Sequence, residues 1–199
     1  MKRITAAVLA ACVPATAGAP DIKDTSYRDA EGRRVQQLEL VVHAPVGRVW
    51  QAFTTDKGFM SWGAPVARVT PGNGGMIEAS YSLSAKIGDP ENIKNRIVLY
   101  VPEQELVLHN EHVPKGAPFK SEVIDKIRTV IRFEDLGGGR TKVVESGVGY
   151  SEGADFDAMY ALFVSGNREE FSALARSLEE GPVDWKAQAT AANASVGAK

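Results

Sequence analysis

From Asp155 to Glu180 the chain reads as one long amphipathic helix, the longest helical stretch in the sequence. Phe156, Met159, Tyr160, Phe163, Phe171, Leu174 and Leu178 recur at the three- and four-residue spacing that places them on one stripe. A stripe of that length has to be covered, and what precedes it is a block of alternating strands with only short helices. The stripe therefore lies across a sheet face, which makes the chain α+β rather than a helix bundle or an alternating α/β fold. Gly166 interrupts the stripe at a cost of ~1 kcal/mol relative to alanine. It either marks a kink, with Asn167 and Glu170 forming a capping box, or lets the helix sit close to the sheet.

The strands are legible from their two-residue period. In Val35 to His43, Leu38, Leu40 and Val42 alternate against Gln37, Glu39 and Val41. Ala44-Pro45 ends that strand and suits the first turn of a helix carrying Val46, Val49, Trp50 and Phe53 on one face. Thr55-Asp56 caps a second short helix that runs to about Trp62. Pro65 to Thr70 and Gly75 to Ser84 flank a Pro71-Gly72-Asn73-Gly74 turn, and Ile77, Ala79, Tyr81 and Leu83 share a face of the second strand. Ile93 to Val101 and Glu105 to Glu111 form one hairpin; Ile127 to Glu134 and Thr141 to Tyr150 form another.

What flanks this block is different in kind. Met1-Lys2-Arg3 is a positive start, Ile4 to Cys12 is short and apolar, and Ala15-Thr16-Ala17 presents small residues at a cleavage site. The expectation is a signal peptide over residues 1–17 and an exported protein, periplasmic or secreted. Leu9-Ala10-Ala11-Cys12 also matches the pattern that places a lipid on the cysteine, and would tether the chain to a membrane. Residues 18–34 are polar and read as an N-terminal arm or weak edge strand. Residues 182–199 are rich in Ala, Ser and Gly and read as a flexible tail. A net charge of −2 gives no reason to expect nucleic acid, and no later apolar run reaches the ~18 residues of a membrane span.

Several segments resemble a known family. Val46-Gly47-Arg48-Val49-Trp50-Gln51-Ala52-Phe53-Thr54, then Asp56-Lys57-Gly58 and Trp62, are similar to the opening of START-like (SRPBCC) domains. Among these the activator of heat-shock ATPase homologue-like proteins are the nearest group. Pro102-Glu103-Gln104-Glu105-Leu106-Val107, Glu145-Ser146-Gly147-Val148 and the long helix with Gly166 fit as well, so the resemblance spans residues 35–181. It implies a helix-grip fold: a strongly bent antiparallel sheet around the C-terminal helix, with an apolar cavity between them. Two positions depart from the pattern. Asn110 stands where the family has a bulky aromatic, and Asn167 follows Gly166 where a tryptophan is common; both make the cavity roomier or more polar. The family name does not carry a function to this chain, because an exported protein would meet neither a cytosolic chaperone nor ATP.

Candidate chemistry is sparse. His109 and His112 are three apart in or beyond a strand and aim at opposite faces, and His43 ends another strand, so no metal site is expected. No cofactor motif is present: Gly72-Asn73-Gly74-Gly75 lies between strands, and Gly137-Gly138-Gly139 is a hairpin loop. Lys115, Lys120, Lys126 and Arg128, interleaved with Glu122 and Asp125, read as a solvated face. No acid, histidine and nucleophile set can be assembled. Glu145 shares a strand face with Thr141 and Val143, and alignment with the family strand turns that face inward. A carboxyl in an apolar cavity has its pKa raised and can act as an acid or base, unless an arginine pairs with it or it points out near the strand end. Asn110 shares a face with Leu106 and Leu108 and, if internal, needs a partner from the protein, a water or a ligand.

The cavity wall is expected to consist of Phe53, Met60, Trp62, Tyr81, Leu108, Asn110, Glu145, Met159 and Phe163. Three functions stay open at this point. The first is binding of a small apolar or amphipathic molecule between sheet and helix. The second is catalysis on such a molecule with Glu145 as acid or base. The third is a protein-interaction role with the cavity collapsed around Trp62, Tyr81 and Met159.

Overall fold

The computed structural model describes residues 19–196, so the expected signal peptide and Cys12 lie outside the described residues. The elements are β1 (Ile22–Asp24), β2 (Tyr27–Arg28), β3 (Arg34–Val42), α1 (Val46–Thr54), α2 (Asp56–Met60), β4 (Val66–Thr70) and β5 (Met76–Ser80). They continue with β6 (Ile93–Val101), β7 (Glu105–His112), α3 (Ser121–Ile124), β8 (Arg128–Gly137), β9 (Arg140–Val148), α4 (Ala154–Glu179) and α5 (Trp185–Val196). The strands form one antiparallel sheet in the order β1-β3-β9-β8-β7-β6-β5-β4, with β2 also on β3. This is the α+β helix-grip architecture expected from the sequence: the sheet on one side, α4 on its inner face.

Strand parity decides what the inner face carries. Cross-strand pairing lines up Leu38, Glu145, Ile131 and Leu106 in one row, and Gly147, Thr129 and Leu108 in the next. Leu38, Leu40, Val42, Ile77, Ile97, Leu106 and Val143 are buried on this face. The N-terminal arm fulfils its edge-strand expectation, with Ile22 opposite Leu40 and Tyr27 opposite Val35.

Glycine and threonine set the turn between the first two helices. The Thr55 hydroxyl accepts from the Gly58 amide at 3.0 Å, capping α2 as its sequence suggests. A side chain at Gly58 would collide with the Gln51 carbonyl, so only glycine lets α2 fold back on α1. The Trp62 indole then donates to the Ala52 carbonyl at 2.9 Å and fixes the ring under α1.

Helix α4 holds two separate cores. Its C-terminal half inserts Phe171, Leu174, Ala175 and Leu178 among Trp50, Phe53, Leu38 and Val143. Its N-terminal half buries Met159, flanked by Phe156, Tyr160 and Phe163, against Val123, Ile124, Ile127 and Tyr150. Each fully buried leucine or phenylalanine stabilises the docking by about 1.5–3 kcal/mol. The helix is continuous through Gly166, and a Cβ there would meet nothing within 4 Å. No close approach to the sheet depends on this glycine. Asn167 sits inside the helix and does not cap it.

Three more segments differ from expectation. Strand β5 stops at Ser80, because Asn92 is buried and its amide holds Glu78 at 2.7 Å and the Lys86 carbonyl at 2.8 Å, tying residues 81–92 into turns. Leu83 is consequently exposed. Lys115, Lys120, Glu122, Asp125 and Lys126 are exposed as read, but the segment between them also forms a helix not expected from the sequence, α3, whose Val123 and Ile124 are buried. The segment expected to fray is helical over Trp185–Val196 and anchored: the Trp185 indole donates to the Met60 carbonyl at 2.7 Å, and the Val183 amide to the Ser61 carbonyl at 2.9 Å.

Candidate functional site

Between the two cores, where α4 carries Gly166 and Asn167, the fold encloses a cavity of about 400 Å³. The hollow exists because neither core reaches across: Gly166 offers no side chain, and the facing strands present Asn95, Asn110, Thr129 and Glu145 rather than bulky apolar groups. Of the residues expected to form its wall, Phe53, Trp62, Tyr81, Leu108, Asn110, Glu145 and Phe163 line it. Met60 and Met159 do not. Met60 packs over Ala64, Ala67 and Ala79, and Met159 is buried in the second core beside Tyr150. Phe59, Asn95, Phe119, Asn167 and Glu170 belong to the wall as well and escape sequence reasoning.

Glu145 faces inward and is 8% exposed. Its cross-strand neighbours are Leu38 on β3 and Ile131 on β8, both apolar, so the sheet supplies no counter-charge. No hydrogen bond or ion pair joins its carboxyl to any described residue. Arg34, the cation at this end of the sheet, is engaged with Asp157 at 2.8 Å and stacks over Tyr160. Burial, reinforced by the negative charge of Glu170, pushes the Glu145 carboxyl from 4.5 up to about 8. It is therefore mostly protonated at neutral pH.

Glu170 approaches the same cavity from α4. Its Oε1 accepts a hydrogen bond from the Tyr81 hydroxyl at 2.8 Å. Burial raises its pKa, and the Tyr81 bond offsets part of the rise. The Glu170 charge in turn holds the Tyr81 phenol well above its usual range, so this hydroxyl stays a donor. Tyr81 is 59% exposed, at the rim rather than in the wall proper. Beyond it lies an outer groove between α4 and α5, lined by Glu169, Arg176, Pro182 and Trp185. Trp62, Tyr81, Gly166 and Glu170 border both spaces, so the Tyr81–Glu170 bond is the partition between cavity and groove.

The amides are held by the protein. The Asn110 side-chain amide donates to Oδ1 of Asn95, its cross-strand partner, at 3.0 Å. Asn167 donates to Gln36 at 3.4 Å. Asn110 thus finds its partner within the chain, and its second face remains available to the cavity. Aromatic rings make up two of the walls. Phe53 and Phe59 lie 4.8 Å and 5.4 Å from Trp62, and Phe119 lies 5.8 Å from Phe163.

The histidines do not converge. His109 Nε2 lies 3.2 Å from Asp125, His43 is exposed, and no group of metal-ligating side chains occurs among the described residues. No described helix is long and apolar enough to cross a membrane.

Comparison with known proteins agrees with this geometry. The model of the family described as Activator of Hsp90 ATPase homolog 1-like protein matches residues 43–179. Among solved structures, the crystal structure of CalU16 from Micromonospora echinospora is similar at 17% identity and a TM-score of 0.55, covering 84% of this chain and 88% of its own. A conserved protein of unknown function, EF2215 from Enterococcus faecalis, is similar at 14% identity and a TM-score of 0.56, covering 82% and 84%. Protein MLL2253 from Mesorhizobium loti is similar at 17% identity and a TM-score of 0.56, covering 75% and 100%. No curated protein matches the chain in sequence. At these identities the structural likeness speaks for the fold.

Proposed function

The chain belongs to the Activator of Hsp90 ATPase homolog 1-like family, and from that premise we propose that it is an exported module that binds a small apolar or amphipathic molecule between sheet and long helix. One observation carries the binding reading: a cavity of about 400 Å³ with largely apolar walls sits at the one stretch of α4 that neither core covers. The open cavity favours binding over an interaction module with a collapsed interior. Export rests on the Met1-Lys2-Arg3 start, the short apolar run to Cys12 and the Ala15-Thr16-Ala17 site. Catalysis on the bound molecule is a second reading, supported by the Glu145 carboxyl at about 8, close to the pH at which an acid or base works best.

Native mass spectrometry of the protein purified from its own host tests both parts. A reproducible co-purified small molecule, released on denaturation, is the expected result, together with an intact mass that begins at Gly18. An empty protein would count against binding. A mass that includes residues 1–17 would count against export, and a lipid on Cys12 would replace the soluble form with an anchored one.

A further inference from the structure

The cavity has a charge character that a general apolar pocket does not need. Two carboxyl groups, Glu145 from β9 and Glu170 from α4, reach it from opposite walls. Six aromatic rings surround them, Trp62, Phe59 and Phe163 among them. No lysine, arginine or histidine is part of the lining. Glu145 is the decisive group. It is more than nine-tenths buried, points into the space, and has no partner among the described residues.

A buried carboxyl without a partner costs stability, and since no described side chain supplies one, the partner has to be a molecule in the cavity. A fatty acid or other anion would find carboxyl groups on both walls and no cation in the described lining to pair with. A neutral apolar body would leave Glu145 as unsatisfied as it is in the empty cavity. An organic cation satisfies every wall at once: its charge pairs with Glu145 as that group releases its proton to solvent, its flanking methyl or methylene groups lie on the aromatic faces, and its apolar body fills the rest. We propose that the ligand of this cavity is an amphipathic organic cation, a protonated or quaternary amine on an apolar body, whose charged nitrogen is held by Glu145 with Glu170 as the second carboxyl. The inference rests on the binding reading above and narrows it to one chemical class.

Three probes with the same eight-carbon chain separate the possibilities: octyltrimethylammonium, octanol and octanoate, each titrated calorimetrically into the wild-type protein, Glu145→Gln and Glu170→Gln. The cation is expected to bind at least roughly ten-fold more tightly than the alcohol, with the carboxylate weakest. Glu145→Gln should remove most of that preference while leaving octanol binding in place, which also shows that the variant is folded. Glu170→Gln should reduce the preference less. Equal affinity for all three, or a preference for octanol or octanoate, overturns the cation assignment and leaves apolar binding standing. The same holds if the cation preference survives in both variants. Binding of none of the three overturns the binding reading itself.

Discussion

Replacing Glu145 with glutamine should make the protein more stable, by an amount that depends steeply on pH. Glutamine has nearly the shape of a protonated glutamic acid and cannot ionise, so the substitution isolates the cost of keeping a carboxyl in the cavity. That cost follows from the two pKa values, 4.5 as the ordinary value and about 8 in the fold. The folded pKa is raised, so the folded state holds the proton more tightly than the unfolded chain does. The group's contribution is intact below pH 4.5, declines as pH rises, and is fully lost above about pH 8. Each pH unit inside that window costs about 1.4 kcal/mol. At pH 7 the wild-type protein therefore stands about 3 kcal/mol below its fully protonated form, and between pH 5 and pH 8 it loses a similar amount through this group.

Urea unfolding followed by tryptophan fluorescence gives the comparison, since Trp50 and Trp62 are both buried in the main core. Glu145→Gln should exceed wild type by no more than about 1 kcal/mol at pH 5 and by roughly 4 kcal/mol at pH 8, with unchanged m-values. Because the Glu170 charge is the second cause of the shift, the same experiment in a Glu170→Gln background should give a smaller pH-dependent gain. If the gain is the same at both pH values, the Glu145 carboxyl is hydrated or paired, and the account of the cavity as a dry space with an orphan acid is wrong.

Gly166→Ala should stabilise by about 1 kcal/mol, because the helix gains propensity and the new Cβ meets open space; a loss of stability in the same urea assay would show that the helix needs glycine there. Gly166→Leu should fold and yet abolish octanol binding, since its side chain enters the cavity that a ligand would occupy. Tyr81→Phe removes the bond to Glu170 across the partition, so stopped-flow measurements should show faster ligand association with stability changed by no more than about 1 kcal/mol. Trp185→Ala removes the anchor to Met60, and limited proteolysis should then cut within residues 182–196 faster than in wild type.

Much of this architecture was legible because strands have an unambiguous period. Parity alone put Glu145 on the same side as Thr141 and Val143, and all three prove buried. It equally put Asn110 with Leu106 and Leu108, but its partner Asn95 depends on register. The β6–β7 pairing contains irregularities near both Asn95 and Ile97 that no pattern of apolar residues announces. Helical period is less informative: it says that Met159 is buried, not which of the two cores buries it. Met60 stood in the same position, an apolar residue at the end of a five-residue helix with two candidate neighbours. The signal for Glu170 was present and was assigned another role. Phe163, Gly166, Asn167 and Glu170 fall on one helical stripe, and polar residues interrupting an apolar stripe mark a place where the stripe stops being core. The tail misled because its composition is poor in apolar residues, whereas its docking rests chiefly on one side chain, Trp185.

The relation between the two cores and the cavity explains why that stripe is interrupted where it is. Helix α4 is secured at both ends, by Phe171 and Leu174 on one side of Gly166 and by Met159 on the other. It can therefore bridge a gap in the middle without losing its place on the sheet. Filling the gap with a side chain would add apolar contacts, and replacing Glu145 would remove a penalty of several kcal/mol, so stability alone favours a solid interior at this site. The chain instead places a glycine opposite an unpaired carboxyl, with a second carboxyl and three amides around them. The glycine and the unpaired carboxyl each cost stability, and neither improves packing within the chain. Groups of that kind are retained where a molecule from outside completes them. In this fold the place left incomplete is the one between Gly166 and Glu145.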